Sequence, residues 1–149
     1  MKTKIASIFL LTCLLSGGAL AQRAELPQNF RQQEETKLRF AASQHEIISI
    51  LLHEQRYDSV LGEFQKILDL SFAGENEALV VEEAWLIVEH LREAGQFGIA
   101  HELVIRTLGE VESVQSQFLL MMLKGKVLRE EGRLSEALDV YRQAQELKN

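Results

Sequence analysis

From Phe30 onward the apolar residues of this chain recur at three- and four-residue intervals, and no useful stretch alternates apolar with polar as a half-buried strand would. The pattern predicts an all-α domain. Asp58, Asn76 and Ser135 stand where helices should start, each able to accept hydrogen bonds from unpaired first-turn amides. Gly74, Gly95, Gly109 and Gly132 stand where apolar periodicity stops, as residues that tolerate a left-handed cap. The helices so delimited are 29–54, 58–71, 76–94, 97–108, 111–131 and 135–147. One run breaks the periodicity: Phe118-Leu119-Leu120-Met121-Met122-Leu123 is apolar all round, whereas a half-buried helix shows only a stripe, so its second side also needs a cover.

The segment before Phe30 has a different organisation. Lys2 and Lys4 precede an apolar run from Ile5 to Leu15, followed by Ser16-Gly17-Gly18 and Ala19-Leu20-Ala21, the order of a secretory signal peptide with cleavage expected after Ala21. That apolar core of 11 residues is well short of the ~20 a membrane-spanning helix needs. Residues 22–29, with the single proline Pro27, read as a short polar leader to a domain over 30–149. The chain is therefore expected to be exported, as a periplasmic or secreted protein of bacterial type with no transmembrane segment after cleavage.

Cleavage changes the chemistry available. The one cysteine, Cys13, leaves with the signal, so disulfides, zinc thiolates and a cysteine nucleophile are excluded from the remaining 128 residues. The signal carries two of the 16 Lys and Arg and none of the 22 Asp and Glu, leaving 14 against 22, a formal charge of −8. No basic cluster offsets this, and nucleic acid is not an expected partner.

Three segments of the domain are alike. Gly132-Arg133-Leu134-Ser135-Glu136-Ala137 through Tyr141 to Ala144 resembles the turn and second helix of a tetratricopeptide repeat, with Gly125 and Leu128 on that family's small and apolar first-helix positions. Gly95-Gln96-Phe97-Gly98-Ile99-Ala100 repeats the turn, and Gln55-Arg56-Tyr57-Asp58-Ser59-Val60 repeats it with the glycine lost. The intervals from Val60 to Ala100 and from Ala100 to Ala137, 40 and 37 residues, exceed the ~34 of the family, so the likeness is tetratricopeptide-like. It implies a right-handed stack of three antiparallel helix hairpins, with Ala100 and Ala137 where the helices of a hairpin cross and Tyr57, Phe64, Phe97 and Tyr141 between hairpins.

Catalytic chemistry is thinly represented. His45-Glu46 and His101-Glu102 begin like a zinc-protease helix, but Ser49 and Ile105 replace the second histidine. His45, Ser49 and His53 fall on one helix face, and a small-molecule binder or hydrolase using that stripe is the enzymatic alternative. Gly95-Gln96-Phe97-Gly98 lacks the third glycine and preceding strand of a phosphate loop. Glu34-Glu35, Glu82-Glu83 and Glu130-Glu131 are expected on solvated helix faces. No metal or cofactor is expected.

The resemblance instead implies a concave groove lined by the first helix of each hairpin. Its positions fall on His45, Ser49 and Leu52; on Trp85, Glu89 and Arg92; and on Met122, Lys126 and Arg129. Trp85 and Met122 flanked by charge would suit a peptide or protein partner with an apolar anchor and polar neighbours; the alternative is that both are buried against neighbouring helices. The terminal-carboxylate grip of chaperone-binding relatives is not implied, because His45, Ser49, Leu86, Leu119 and Leu123 replace its Lys, Arg and Asn. The expected function is a non-enzymatic interaction or scaffold module, with self-assembly through 118–123 as a further alternative.

Overall fold

The computed structural model describes residues 28–72 and 74–147, and the export signal and most of the leader lie outside them. Six α-helices and no strand occur among the described residues: α1 Gln28–His53, α2 Tyr57–Leu68, α3 Glu77–Glu93, α4 Phe97–Glu110, α5 Val114–Glu130 and α6 Leu134–Glu146, with a short 3₁₀ turn Gly74–Asn76 before α3. None of these helices is long and apolar enough to cross a membrane. The chain divides into units Met1–Thr36 and Lys37–Asn149. In the first, Thr36 Oγ1 donates to the Gln32 carbonyl at 2.8 Å, a bond back along the helix.

The second unit is built from three hairpins. The connections α1–α2, α3–α4 and α5–α6 are each three residues, and the three turns share one backbone form. Gln55, Gly95 and Gly132 have φ of 60°, 73° and 89°. The residue after each, Arg56, Gln96 or Arg133, donates its amide to a carbonyl five residues back, on Leu51, Leu91 or Leu128, at 2.8–2.9 Å. This is the Schellman arrangement, which satisfies carbonyls left over at a helix end. Five residues beyond each left-handed residue comes a buried small or medium side chain, Val60, Ala100 and Ala137, at most 2% exposed.

The unequal intervals have a local cause. α3 and α5 are both 17 residues and the turns are equal, but the linker 69–76 is five residues longer than 111–113 while α2 is two shorter than α4. The net difference of three separates 40 from 37. Beyond the hairpin contacts α3–α4 and α5–α6, α3 meets α5, α2 meets α4, and α4 meets α5. The core runs from Ile48 and Leu51 of α1 through Phe64, Ile87 and Leu103 to Leu120 and Val127 of α5, with a smaller cluster of Leu128, Ala137 and Val140.

Several expected boundaries move. Gly109 is not a left-handed cap: α4 runs through it to Glu110 and ends at Val111 in extended conformation, φ −99° and ψ 139°. Asp58 and Ser135 lie inside first turns, and the cap residues there, Arg56 and Arg133, make no side-chain cap bond. Asn76 is the cap of α3, also without a side-chain cap bond. Ser113 does cap a helix, its Oγ accepting from the Ser116 amide at 3.1 Å. In the apolar run, Leu120 and Leu123 are fully buried and Leu119 packs partly against the core.

Gln55 is a side-chain residue in a conformation its two counterparts fill with glycine. A left-handed residue with a Cβ costs roughly 1–2 kcal/mol, and glycine relieves that at some cost in unfolded-chain entropy. Gln55→Gly should therefore raise unfolding stability by ~0.5–1 kcal/mol, measured by urea denaturation. A loss of stability would mean that the Gln55 side chain holds the turn by contacts of its own.

Candidate functional site

The charged residues expected along the groove come together as one network across α3 and α5. Glu89, one turn before the end of α3, accepts from Arg92 Nη2 at 2.6 Å and from Lys126 Nζ at 2.8 and 3.0 Å. Arg92 also donates to Glu130 of α5, and Arg129 Nη2 reaches Glu130 Oε1 at 3.9 Å. Burial pushes the Glu89 carboxyl up, but its bonds to Arg92 and Lys126 outweigh this and hold it below the ordinary value. Arg92 and Lys126 are thus already paired within the protein, and a partner carboxylate there competes with Glu89 and Glu130. Arg129, 57% exposed along its side chain, is the most open of the three cations.

Trp85 lies one turn before Glu89 on α3, and Met122 one turn before Lys126 on α5. Glu89–Lys126 and Arg92–Glu130 join α3 to α5 between residues 37 and 38 positions apart, and Trp85 and Met122, also 37 apart, precede that pairing by one turn on each helix. Both side chains are half-buried, and Trp85 packs against the core. Leu86 beside it is exposed. The face therefore joins partly open apolar side chains to a neutralised charge network, not to a field of one sign.

The His45, Ser49 and His53 stripe splits. Ser49 and His53 are exposed, while His45 turns onto α3, its Nδ1 2.8 Å from both carboxylate oxygens of Glu83. At 3% exposure Glu83 is buried. The hydrogen bond to Glu83 raises the His45 pKa above its ordinary 6.5 against the opposing effect of burial, and the charges of Glu83 and Glu46 add to the rise. Glu83 was expected on a solvated face, and the structure corrects this: it lies three residues after Val80 and four before Ile87, inside the buried stripe of α3. That spacing was the signal available in the sequence.

Glu77, another buried carboxylate, ties the start of α3 to the start of α5. It accepts from the Glu112 amide at 2.8 Å and the Ser113 amide at 3.1 Å, just ahead of the Ser113 cap. Burial pushes its carboxyl up, yet bonds from Ser113, Ser116 and the Glu112 backbone hold it below the ordinary value. Glu130 is exposed, as expected, and also receives Arg92 from α3. All three carboxylates make their bonds to residues 35–38 positions away, a register that a single helix pattern does not carry.

Two surface hollows of about 420 Å³ each are lined by Leu108, Gln117, Met121, Gln143, Glu146 and Leu147 and by residues 55–59 with Gln96; neither includes His45, Ser49 or His53. Among the described residues no group of three or more His, Cys, Asp or Glu is placed to hold a metal ion. What the α3–α5 face offers chemically is apolar contact beside charge-assisted hydrogen bonding. No protein family, curated protein or solved structure matches the chain.

Proposed function

We propose that the protein is a non-enzymatic interaction module that holds a peptide or protein partner, working in the bacterial envelope or secreted fraction as a tetratricopeptide-like stack. The observation that carries this reading is the α3–α5 face, where half-buried Trp85 and Met122 stand one turn from the Glu89–Lys126 pair. Tryptophan and arginine dominate interface energetics more than other residue types, and Trp85 and Arg92 share this face. The charge, apolar and small-residue order of residues 1–21 supports export. In this reading Trp85 and Met122 anchor the partner's apolar residue, Arg92, Lys126 and Arg129 orient its polar groups by exchanging with Glu89, and His45 and Ser49 extend the face toward α1.

The test pairs a denaturation curve of Trp85→Ala with capture from envelope extract by the same variant. Capture should fall by an amount equivalent to ≥ ~2 kcal/mol while stability changes little. A stability loss of ~3–5 kcal/mol would make Trp85 a core residue, and unchanged capture at unchanged stability would move the binding surface elsewhere.

A further inference from the structure

The equivalence of the three turns sets residues of successive hairpins in register, 40 and then 37 positions apart. At the start of each second helix, Tyr57 and Leu61 correspond to Phe97 and His101, and these to Leu134 and Leu138. In the first two hairpins this edge is covered. Tyr57, Leu61 and Phe97 pack against the core, and His101 is half-buried within reach of the charges of Lys124 on α5 and Arg133 at the third turn. In the third hairpin the same edge is open: Leu134 is 65% and Leu138 50% exposed.

The first helices show the same change. Arg92 and Arg129 occupy one position, 37 residues apart. Arg92 is 14% exposed because Glu130 of the following hairpin receives it, whereas Arg129, 57% exposed, has Glu130 of its own hairpin at 3.9 Å. A cation and two leucines are thus exposed on α5 and α6 at the positions where the preceding hairpins are joined by the next helix.

We infer that this edge of the third hairpin docks an amphipathic helix of a partner protein, which lays apolar side chains over Leu134 and Leu138 and presents a carboxylate to Arg129. The inference rests on reading the hairpins as one repeating stack and specifies a partner surface for the interaction module proposed above. A second copy of the chain fits poorly. Stacked in the same register it would bring His53, the counterpart of Glu93 and Glu130 in α1, to the place of the carboxylate. Histidine cannot neutralise Arg129, and once protonated it would repel it. Electrostatic complementarity of this kind selects partners by excluding the wrong ones.

The probe is a synthetic peptide of residues 112–130, which contains the helix that covers the corresponding edge of the second hairpin and carries Glu130. Titrated onto the full chain, it should bind saturably, with amide shifts centred on Leu134 and Leu138. The Leu134→Asp/Leu138→Asp variant should abolish binding while keeping wild-type helicity, because both side chains are exposed. Arg129→Glu should weaken it roughly tenfold, and a Glu130→Lys peptide should recover binding to Arg129→Glu alone. Absence of binding at millimolar peptide, or binding indifferent to the leucine changes, would overturn the inference. So would concentration-dependent self-association, seen in sedimentation and removed by those same changes, because the edge would then belong to a second copy. Shifts centred on Trp85 and Met122 would also overturn it while leaving the α3–α5 reading in place; conversely, Trp85→Ala tests that face without touching this edge.

Discussion

Replacing His45 by leucine should destabilise the protein by ~3 kcal/mol, toward the lower end of the ~3–5 expected when one member of a buried ion pair is removed. The lower end applies because the His45 side chain is 21% exposed while that of Glu83 is only 4% exposed. Leucine keeps the packing volume on α1 but leaves the Glu83 carboxylate in an apolar stripe without the ring that lies 2.8 Å from both its oxygens. His45→Leu combined with Glu83→Leu should recover most of the loss, since a buried pair exchanged for apolar residues is often neutral or better. A single variant within about 1 kcal/mol of wild type, the scale of a surface pair, would show that the pair contributes little.

The same pair gives the stability a pH signature. The folded His45 pKa lies above its ordinary 6.5. Its stabilising effect is therefore fully present below the unfolded value of 6.5 and is lost as pH rises through the raised folded value. Glu77 and Glu89 behave in the opposite sense: both are held below the ordinary 4.5, so their contribution is present above that value and is lost as pH falls through the lowered one. Chemical denaturation across both windows should show stability declining at each end, and His45→Leu should remove the upper decline while leaving the acid limb in place.

How far the sequence could be read follows from which interactions are local. Helix type and number depend on the spacing of apolar residues along one segment, and six helices form among the described residues. The turns were legible because a left-handed residue is required at Gly95 and Gly132, and the same geometry at Gln55 shows that the turn survives the loss of its glycine. Gly109 misled because nothing about a glycine forces a helix to end; α4 simply continues one residue past it. The expected caps at Asp58 and Ser135 failed for a related reason. Backbone groups of the turn already serve the first amides there, as when Arg56 O accepts from Ser59 N and Gly132 O from Leu134 N. Glu77, Glu83 and Glu130 were hidden differently, since their partners lie on another helix or, for Glu77, in the connection just before one, and the pairing depends on hairpin register. The charges at Glu89, Arg92 and Lys126 were found, but that they satisfy one another is visible only once α3 and α5 are side by side.

Gly125→Ala should destabilise the protein by ~1–3 kcal/mol, the usual range for overpacking, although alanine in a helix interior is ordinarily favoured over glycine by about 0.8–1.0 kcal/mol. The sign is decided on the opposite helix. A Cβ at Gly125 would meet the ring of Tyr141 on α6, 2.7 Å from Cζ and 2.8 Å from Cδ1, and would press on Cε1 as well. A tyrosine ring is rigid along its length, so the contact cannot be relieved by moving a flexible tip. The ring is held by its own surroundings, packing on the small cluster of Leu128, Ala137 and Val140. Either α5 and α6 separate, which disturbs that cluster, or Tyr141 leaves its site and exposes it. Gly62 is a control within a helix: a Cβ there meets nothing within 4 Å, so Gly62→Ala should be stabilising, showing the propensity gain by itself. Gly125→Ala in a Tyr141→Leu background should cost at least ~1 kcal/mol less than in wild type, as residues in direct contact couple by roughly 0.5–3 kcal/mol. Additive effects in that cycle, or a stabilised Gly125→Ala, would mean that the hairpin is loose enough at this crossing to admit a methyl group, and that the small residue there is not what brings α5 and α6 together.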